Sequence, residues 1–258
     1  MRLVILACEI MYREICYCVS QSKNIVDARF VRKGLHDLGQ KEMSQTLQQE
    51  IDEVPKNRYE AILLGYGLCS NGISGLKTEI IPLIIPRAHD CITLLLGSKE
   101  RYREYFEAHP GTYFRSTGWL ERNFVSEEDQ GKDIPSQLGL NRTLEEYVAK
   151  YGEENAQYLM ETLQEWNGLR HYNRITYIDM GIGNFQRYEE EARKEALDKG
   201  WEFERLKGDV GLLRRLIDGN WNRDEFLIVQ PGEKIVPTYV GGIIKAKAFR
   251  SEDPAGTP

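Results

Sequence analysis

Short, continuous runs of branched apolar residues recur along this chain, and each is followed by a stretch with apolar residues at helical spacing. The clearest runs are RLVILAC (2–8), AILLGYGL (61–68) and IIPLIIP (80–86). A strand that is apolar on both faces has to be buried on both faces. That is the condition of a mainly parallel sheet covered by helices on each side. EIMYREICYCVSQ (9–21) sets Ile10, Ile15 and Val19 near one helical face, and KEMSQTLQQEIDEV (41–54) sets Met43, Leu47 and Ile51 in a stripe. DARFVRKGL (27–35) is expected to add a short strand. Pro82 and Pro86 are expected to confine the 80–86 run to a sheet edge or a strand end. Ser98 reads as the N-cap of KERYREYFEAH.

The alternation returns from residue 174, as RITYIDMG, FQRYEEEARKEALDKG, WEFERL, DVGLLRRLIDGNW and FLIVQPG. The expected fold is therefore α/β: two Rossmann-like parallel-sheet units in tandem with a cleft between them. The first unit covers 1–110 and the second 173–250. A mainly helical connection, 111–172, packs on both, and 251–258 is a polar tail.

Charge and cysteine usage narrow the class. The net charge of −6 gives no general attraction to nucleic acid, and no apolar run approaches the roughly 20 residues of a membrane span. Five cysteines, without an export signal, predict free thiols in a reducing, cytoplasmic compartment.

Three of those cysteines share an address. Cys8 ends the first apolar run, Cys69 follows the second and Cys91 follows the third. All three are thus expected just past the carboxyl ends of strands, where open α/β sheets bind ligands. His89, two residues before Cys91, is the expected nitrogen ligand, and His36 in KGLHDLG a candidate fourth. Such a set suits zinc, and three thiolates alternatively suit an iron–sulfur cluster with one open iron. Asp90 is expected either to orient His89 or to cap the segment that follows, and Arg87 to face an anionic ligand. Gly67 and Asn71, in GYGLCSNG, allow backbone to approach a ligand. Tyr113, Arg115 and Trp119, in GTYFRSTGWLE, are candidates for a substrate wall. MGIGNF follows a strand and opens a helix, with Glu202 and Glu204 about 20 residues on. Gln186 stands where a dinucleotide fingerprint has its third glycine, so a plain strand-to-helix turn is the expectation there.

The segments ACEIMYREICY, LGYGLCSNG, IPRAHDCITLLLGSKERY, GTYFRSTGW and YGEENAQYLMETL together resemble a bacterial and archaeal family, domain of unknown function 1638, over roughly residues 3–240. The resemblance implies a protein of anaerobes linked to corrinoid-dependent methyl transfer, with a corrinoid or methyltransferase protein as a partner. His89-Asp90-Cys91 also has the local His-x-Cys form used by zinc enzymes that alkylate thiols, whose further cysteine lies downstream, whereas Cys69 is upstream. Two functions follow as expectations. One is a metal-dependent enzyme acting on a small anionic, thiol or methyl-bearing molecule, with Asp90 and Arg87 at the reacting centre. The other is a non-catalytic carrier of metal or cofactor for a partner methyltransferase.

Overall fold

The computed structural model describes residues 1–35, 39–122, 172–183, 185–238 and 242–249, with a few isolated positions between 145 and 155. His36, most of the 111–172 connection and the 251–258 tail lie outside the described residues.

The described residues form an α/β fold built on three sheets. The largest has the order β2-β1-β3-β4-β8. Its strands are β1 (Arg2–Cys8), β2 (Ile25–Val31), β3 (Ala61–Gly65), β4 (Leu83–Pro86) and β8 (Phe226–Val229). The first four run parallel, and β8 returns antiparallel beside β4. β1 is buried from Leu3 to Cys8 and β3 along its whole length, as their unbroken apolar runs require. Pro86 ends β4 and Pro82 precedes it. Of the two places those prolines allow, the strand takes the second, since β8 covers its outer side.

Helices α1 (Tyr12–Gln21) and α2 (Gln40–Asp52) cross over between the first strands. A 3-10 turn, Glu9–Met11, precedes α1. Ile15 and Cys18 of α1 are buried, as are Met43, Leu47 and Ile51 of α2, so both predicted stripes face the core. After β4 the chain forms α3 (Cys91–Leu96) and α4 (Lys99–Ala108). Ser98 caps α4 by accepting the Arg101 N–H at 3.0 Å.

A second, parallel sheet has the order β5-β6-β7: β5 (Thr112–Ser116), β6 (Arg174–Asp179) and β7 (Glu202–Lys207). A short helix α5 (Thr117–Glu121) follows β5, and α6 (Gln186–Lys199) joins β6 to β7. The chain then returns to the first sheet through α7 (Gly211–Asp218) and β8. Leu212, Leu213, Leu216 and Ile217 of α7 are buried in the main core. The sheets are therefore interleaved along the chain. GTYFRS supplies a strand to the second sheet, and DVGLLRRLIDGNW and FLIV belong to the first, because their apolar side chains complete its core. A hairpin, β9 (Glu233–Pro237) with β10 (Ile244–Ala248), closes the described chain.

Candidate functional site

The strand order places β2 on one side of β1 and β3 on the other, so successive crossovers diverge between β1 and β3. Crevices at such a switch point are where open α/β sheets bind ligands. Cys8 ends β1, and the loop after β3 carries Cys69. Cys91 is the first residue of α3, immediately after the β4 loop. All three line one cavity of ≈ 30 Å³ together with Tyr66, Gly67 and Trp119.

Backbone pairing explains why Cys69 and Cys91 are neighbours. Past the ends of β3 and β4, the Leu68 N–H donates to the Ala88 carbonyl and the Cys69 N–H to the His89 carbonyl, each at 2.8 Å. The two loops thus run on side by side. Gly67 permits this: a Cβ there would stand 2.6 Å from the Asp90 nitrogen. Beyond Gly67 the chain turns through Cys69, Ser70 and Asn71 with φ of 44°, 55° and 67°. Three consecutive non-glycine residues in the left-handed region cost about 1–2 kcal/mol each. Strain of this kind collects at functional sites.

The thiols are strongly desolvated. Burial pushes Cys8 up to about 11, opposed by the Ile10 backbone N–H and the Lys33 charge. Burial pushes Cys69 up to about 12, opposed by the backbone N–H groups of Gly67 and Cys91. Burial also raises Cys91 well above an ordinary thiol, and the neighbouring Cys69 and Asp90 add to the rise. Metal-free, the cavity holds three neutral thiols. The Tyr66 ring is buried, and among the described residues its hydroxyl makes no hydrogen bond of ordinary geometry but stands close enough to Cys8 to favour that thiolate. Among the described residues, no group of three His, Cys, Asp or Glu is placed to hold a metal ion.

The other candidates are distributed differently. His89 is exposed, its ring 6.3 Å from that of Tyr102, and it does not line the thiol cavity. Asp90 is the N-cap of α3: one carboxylate oxygen accepts from the Ile92 and Thr93 amides at 3.0 and 3.1 Å, and the other accepts from the Tyr102 hydroxyl at 3.0 Å. Of its two expected roles, the structure shows the capping one. Arg87 donates to the carbonyls of Arg223, Gly242 and Ile244, tying the start of β10 to the segment before β8. Arg115 forks onto Glu195 with two hydrogen bonds of 2.9 Å and stacks on Tyr113, 4.2 Å from the ring centroid. Tyr113 packs edge-on against Tyr172 and Trp201. Asn71 is an exposed turn residue. Trp119 alone of its group reaches the thiol cavity, under the Lys33 ammonium at 4.3 Å. Glu202 and Glu204 are ion-paired with Arg174, away from the MGIG turn.

Tyr66 was the residue that sequence reasoning passed over. Its place between two glycines at a strand end, one residue beyond β3, was the available sign. Among the described residues, no helix is long and apolar enough to cross a membrane.

Comparison with known proteins agrees with the resemblance drawn from the motifs. Residues 30–217 match the family described as protein of unknown function (DUF1638), and the chain belongs to that family. No curated protein and no solved structure matches it.

Proposed function

We propose that this DUF1638 protein binds a single zinc ion through the thiolates of Cys8, Cys69 and Cys91, and that the open fourth position takes a small thiol or methyl-bearing substrate. The observation that carries this reading is the convergence of three cysteines, each at or just past the carboxyl end of a different strand, on one cavity at the switch point.

Several features support it. Cysteine turns about one side-chain bond, so a change of rotamer would be what brings the three sulfurs onto a common ion. A cavity of ≈ 30 Å³ is far too small for the eight-atom cube of an iron–sulfur cluster and favours a lone metal, whose substrate would have to reach the fourth position from outside the cavity. Backbone N–H groups of Ile10, Gly67 and Cys91 face the sulfurs of Cys8 and Cys69 and favour their thiolate forms. Three thiolates around a dication leave one net negative charge. Lys33 favours the Cys8 thiolate, and Arg32 lines the same cavity.

Bound zinc would hold the three sulfurs deprotonated and act as a Lewis acid on whatever fills its fourth position. Tyr66 would donate its otherwise unused O–H to a ligand sulfur or to the substrate. Trp119 and Met11 give the cavity an apolar wall that excludes water. His89 has no part in this ligand set. One-carbon, corrinoid-linked metabolism is the setting that the family resemblance suggests for such a site.

The test is elemental analysis of protein purified without oxygen, alongside its visible spectrum. About one zinc per chain, with no colour, is expected. It should be lost in Cys69→Ser and Cys91→Ser and kept in His89→Ala. Absence of metal after anaerobic reconstitution, or retention of zinc in both serine variants, overturns the proposal.

A further inference from the structure

A second and larger cavity, ≈ 180 Å³, lies at the carboxyl end of β6, between that strand, α5, the first turn of α6 and the side of α1. The MGIG turn forms one wall, with Gly181 and Gly183 both at positive φ. The thiol site makes no use of it.

Glu14 of α1 lines this cavity and is only 2% exposed. Its Oε2 has no hydrogen-bond partner among the described residues. A buried carboxyl oxygen left unpaired costs on the order of 1–3 kcal/mol, so it is an unusual thing for a fold to keep.

The charged groups and hydroxyls of the wall other than Glu14 are already engaged, and Gln186 adds a neutral amide. Asp179 accepts from the Gly181 N–H at 3.0 Å and from Arg205 at 2.6 Å. Glu189 pairs with Arg193 at 3.2 Å and with Arg205 at 3.5 Å. The hydroxyls of Thr117 and Tyr177 bond to each other at 2.7 Å. Arg13, beside Glu14 in the chain, forks onto Glu121 at 2.7–3.0 Å and lies over the Phe185 ring, 4.0 Å from its centroid. Arg205 and Arg193 thus answer Asp179 and Glu189 between them, and among the described residues no guanidinium hydrogen-bonds to Glu14 Oε2.

This imbalance defines the ligand. An anion would meet a surplus of carboxylates. A neutral ligand could at most share an ordinary hydrogen bond with a protonated Glu14. A cation with several N–H donors would both neutralise the wall and occupy Oε2, as a charge-assisted hydrogen bond does best. A space of ≈ 180 Å³ equals about six waters at 30 Å³ each, so the guest has only a few non-hydrogen atoms.

We infer that this cavity is a binding site for a small molecule carrying an ammonium group, with Glu14 as its carboxylate partner and the Thr117–Tyr177 hydroxyl pair able to accept beside it. The site is independent of the proposed zinc centre. The 3-10 turn Glu9–Met11 and α5 stand between them, with Trp119 facing one cavity and Thr117 the other.

The experiment is calorimetric titration of the full chain at neutral pH with four probes of similar size: ethanolamine, propylamine, propionate and ethylene glycol. The two amines are expected to bind, and propionate and ethylene glycol to bind at least tenfold more weakly. Glu14→Gln, shown folded by circular dichroism, should weaken ethanolamine binding at least tenfold. Cys69→Ser should leave it unchanged, which separates this site from the zinc proposal. Propionate binding as tightly as the amines, Glu14→Gln binding ethanolamine like wild type, or no amine binding at about 10 mM each overturns the inference. The comparison of the four probes on wild-type protein decides the matter even if the glutamine variant does not fold.

Discussion

The backbone of Gly118 lies against the carbonyl of Ile10: a Cβ built on that glycine would stand 1.7 Å from the Ile10 oxygen. Helix α5 therefore seats backbone to backbone on the turn between β1 and α1, and this seat joins the second sheet to the first. On one side of Gly118, Thr117 faces the larger cavity; on the other, Trp119 faces the thiol cavity.

Gly118→Ala should accordingly destabilise the fold by about 2–3 kcal/mol, since the obstructing atom is a carbonyl and not a movable side-chain tip. Urea unfolding measures this. The variant should also weaken zinc and amine binding together, because both cavities share that contact. A variant as stable as wild type would mean that α5 does not hold this seat.

Glu14 makes stability depend on pH. Burial pushes its carboxyl from the ordinary 4.5 up to about 7, against its own backbone N–H, and the Glu121 charge adds to the rise. The folded state thus holds a proton that the unfolded chain has already released. This favours folding fully below about 4.5 and is lost as pH rises through about 7, a change of about 3 kcal/mol. Glu14→Gln should flatten the profile over that window and be the more stable protein at pH 8. Urea midpoints measured from pH 4.5 to 8 test it, and parallel profiles for the two proteins would contradict it.

Alkylation should discriminate among the cysteines. With its thiol pushed up to about 11, Cys8 is only about 0.1% thiolate at pH 8, and Cys69 less still. Cys16, partly exposed on α1, should react first with iodoacetamide in native protein, whether metal-free or loaded. Peptide mapping by mass spectrometry reads the order. Rapid labelling of Cys69 or Cys91 ahead of Cys16 would show that the cavity is open and polar.

Ser70→Gly should stabilise the protein by about 0.5–1 kcal/mol, because glycine adopts the left-handed region without the Cβ penalty. If the turn serves to hold Cys69 in place, the same change should lower zinc affinity. A thermal melt paired with a competitive zinc titration separates the two effects, and equal affinity in both proteins would make the turn merely structural.

Arg87→Ala removes donors to three backbone carbonyls and should cost about 1–3 kcal/mol. Zinc content should not change. Loss of metal in a folded Arg87→Ala protein would return this residue to the site.

Much of this was written in the sequence. Unbroken apolar runs such as RLVILAC and AILLG can be satisfied only by burial on both faces, so the parallel sheet followed from them. The stripes of Met43, Leu47 and Ile51 fixed which side of α2 faces inward. The position of Cys8, Cys69 and Cys91 at strand ends followed from where the apolar runs stop. What one dimension does not carry is strand order and side-chain direction. Only the order β2-β1-β3-β4 brings those three ends together at a switch point. Only the packed chain turns His89 outward, commits Asp90 to capping α3 and spends Arg87 and Arg115 on carbonyls and Glu195. The return of α7 and β8 to the first sheet is of the same kind, since an apolar helix face is equally at home on either sheet until the cores compete for it. Glu14 makes the point most sharply. On the sequence it is one acid among 40 Asp and Glu residues, and its isolation among the described residues arises only where α1 meets the second sheet.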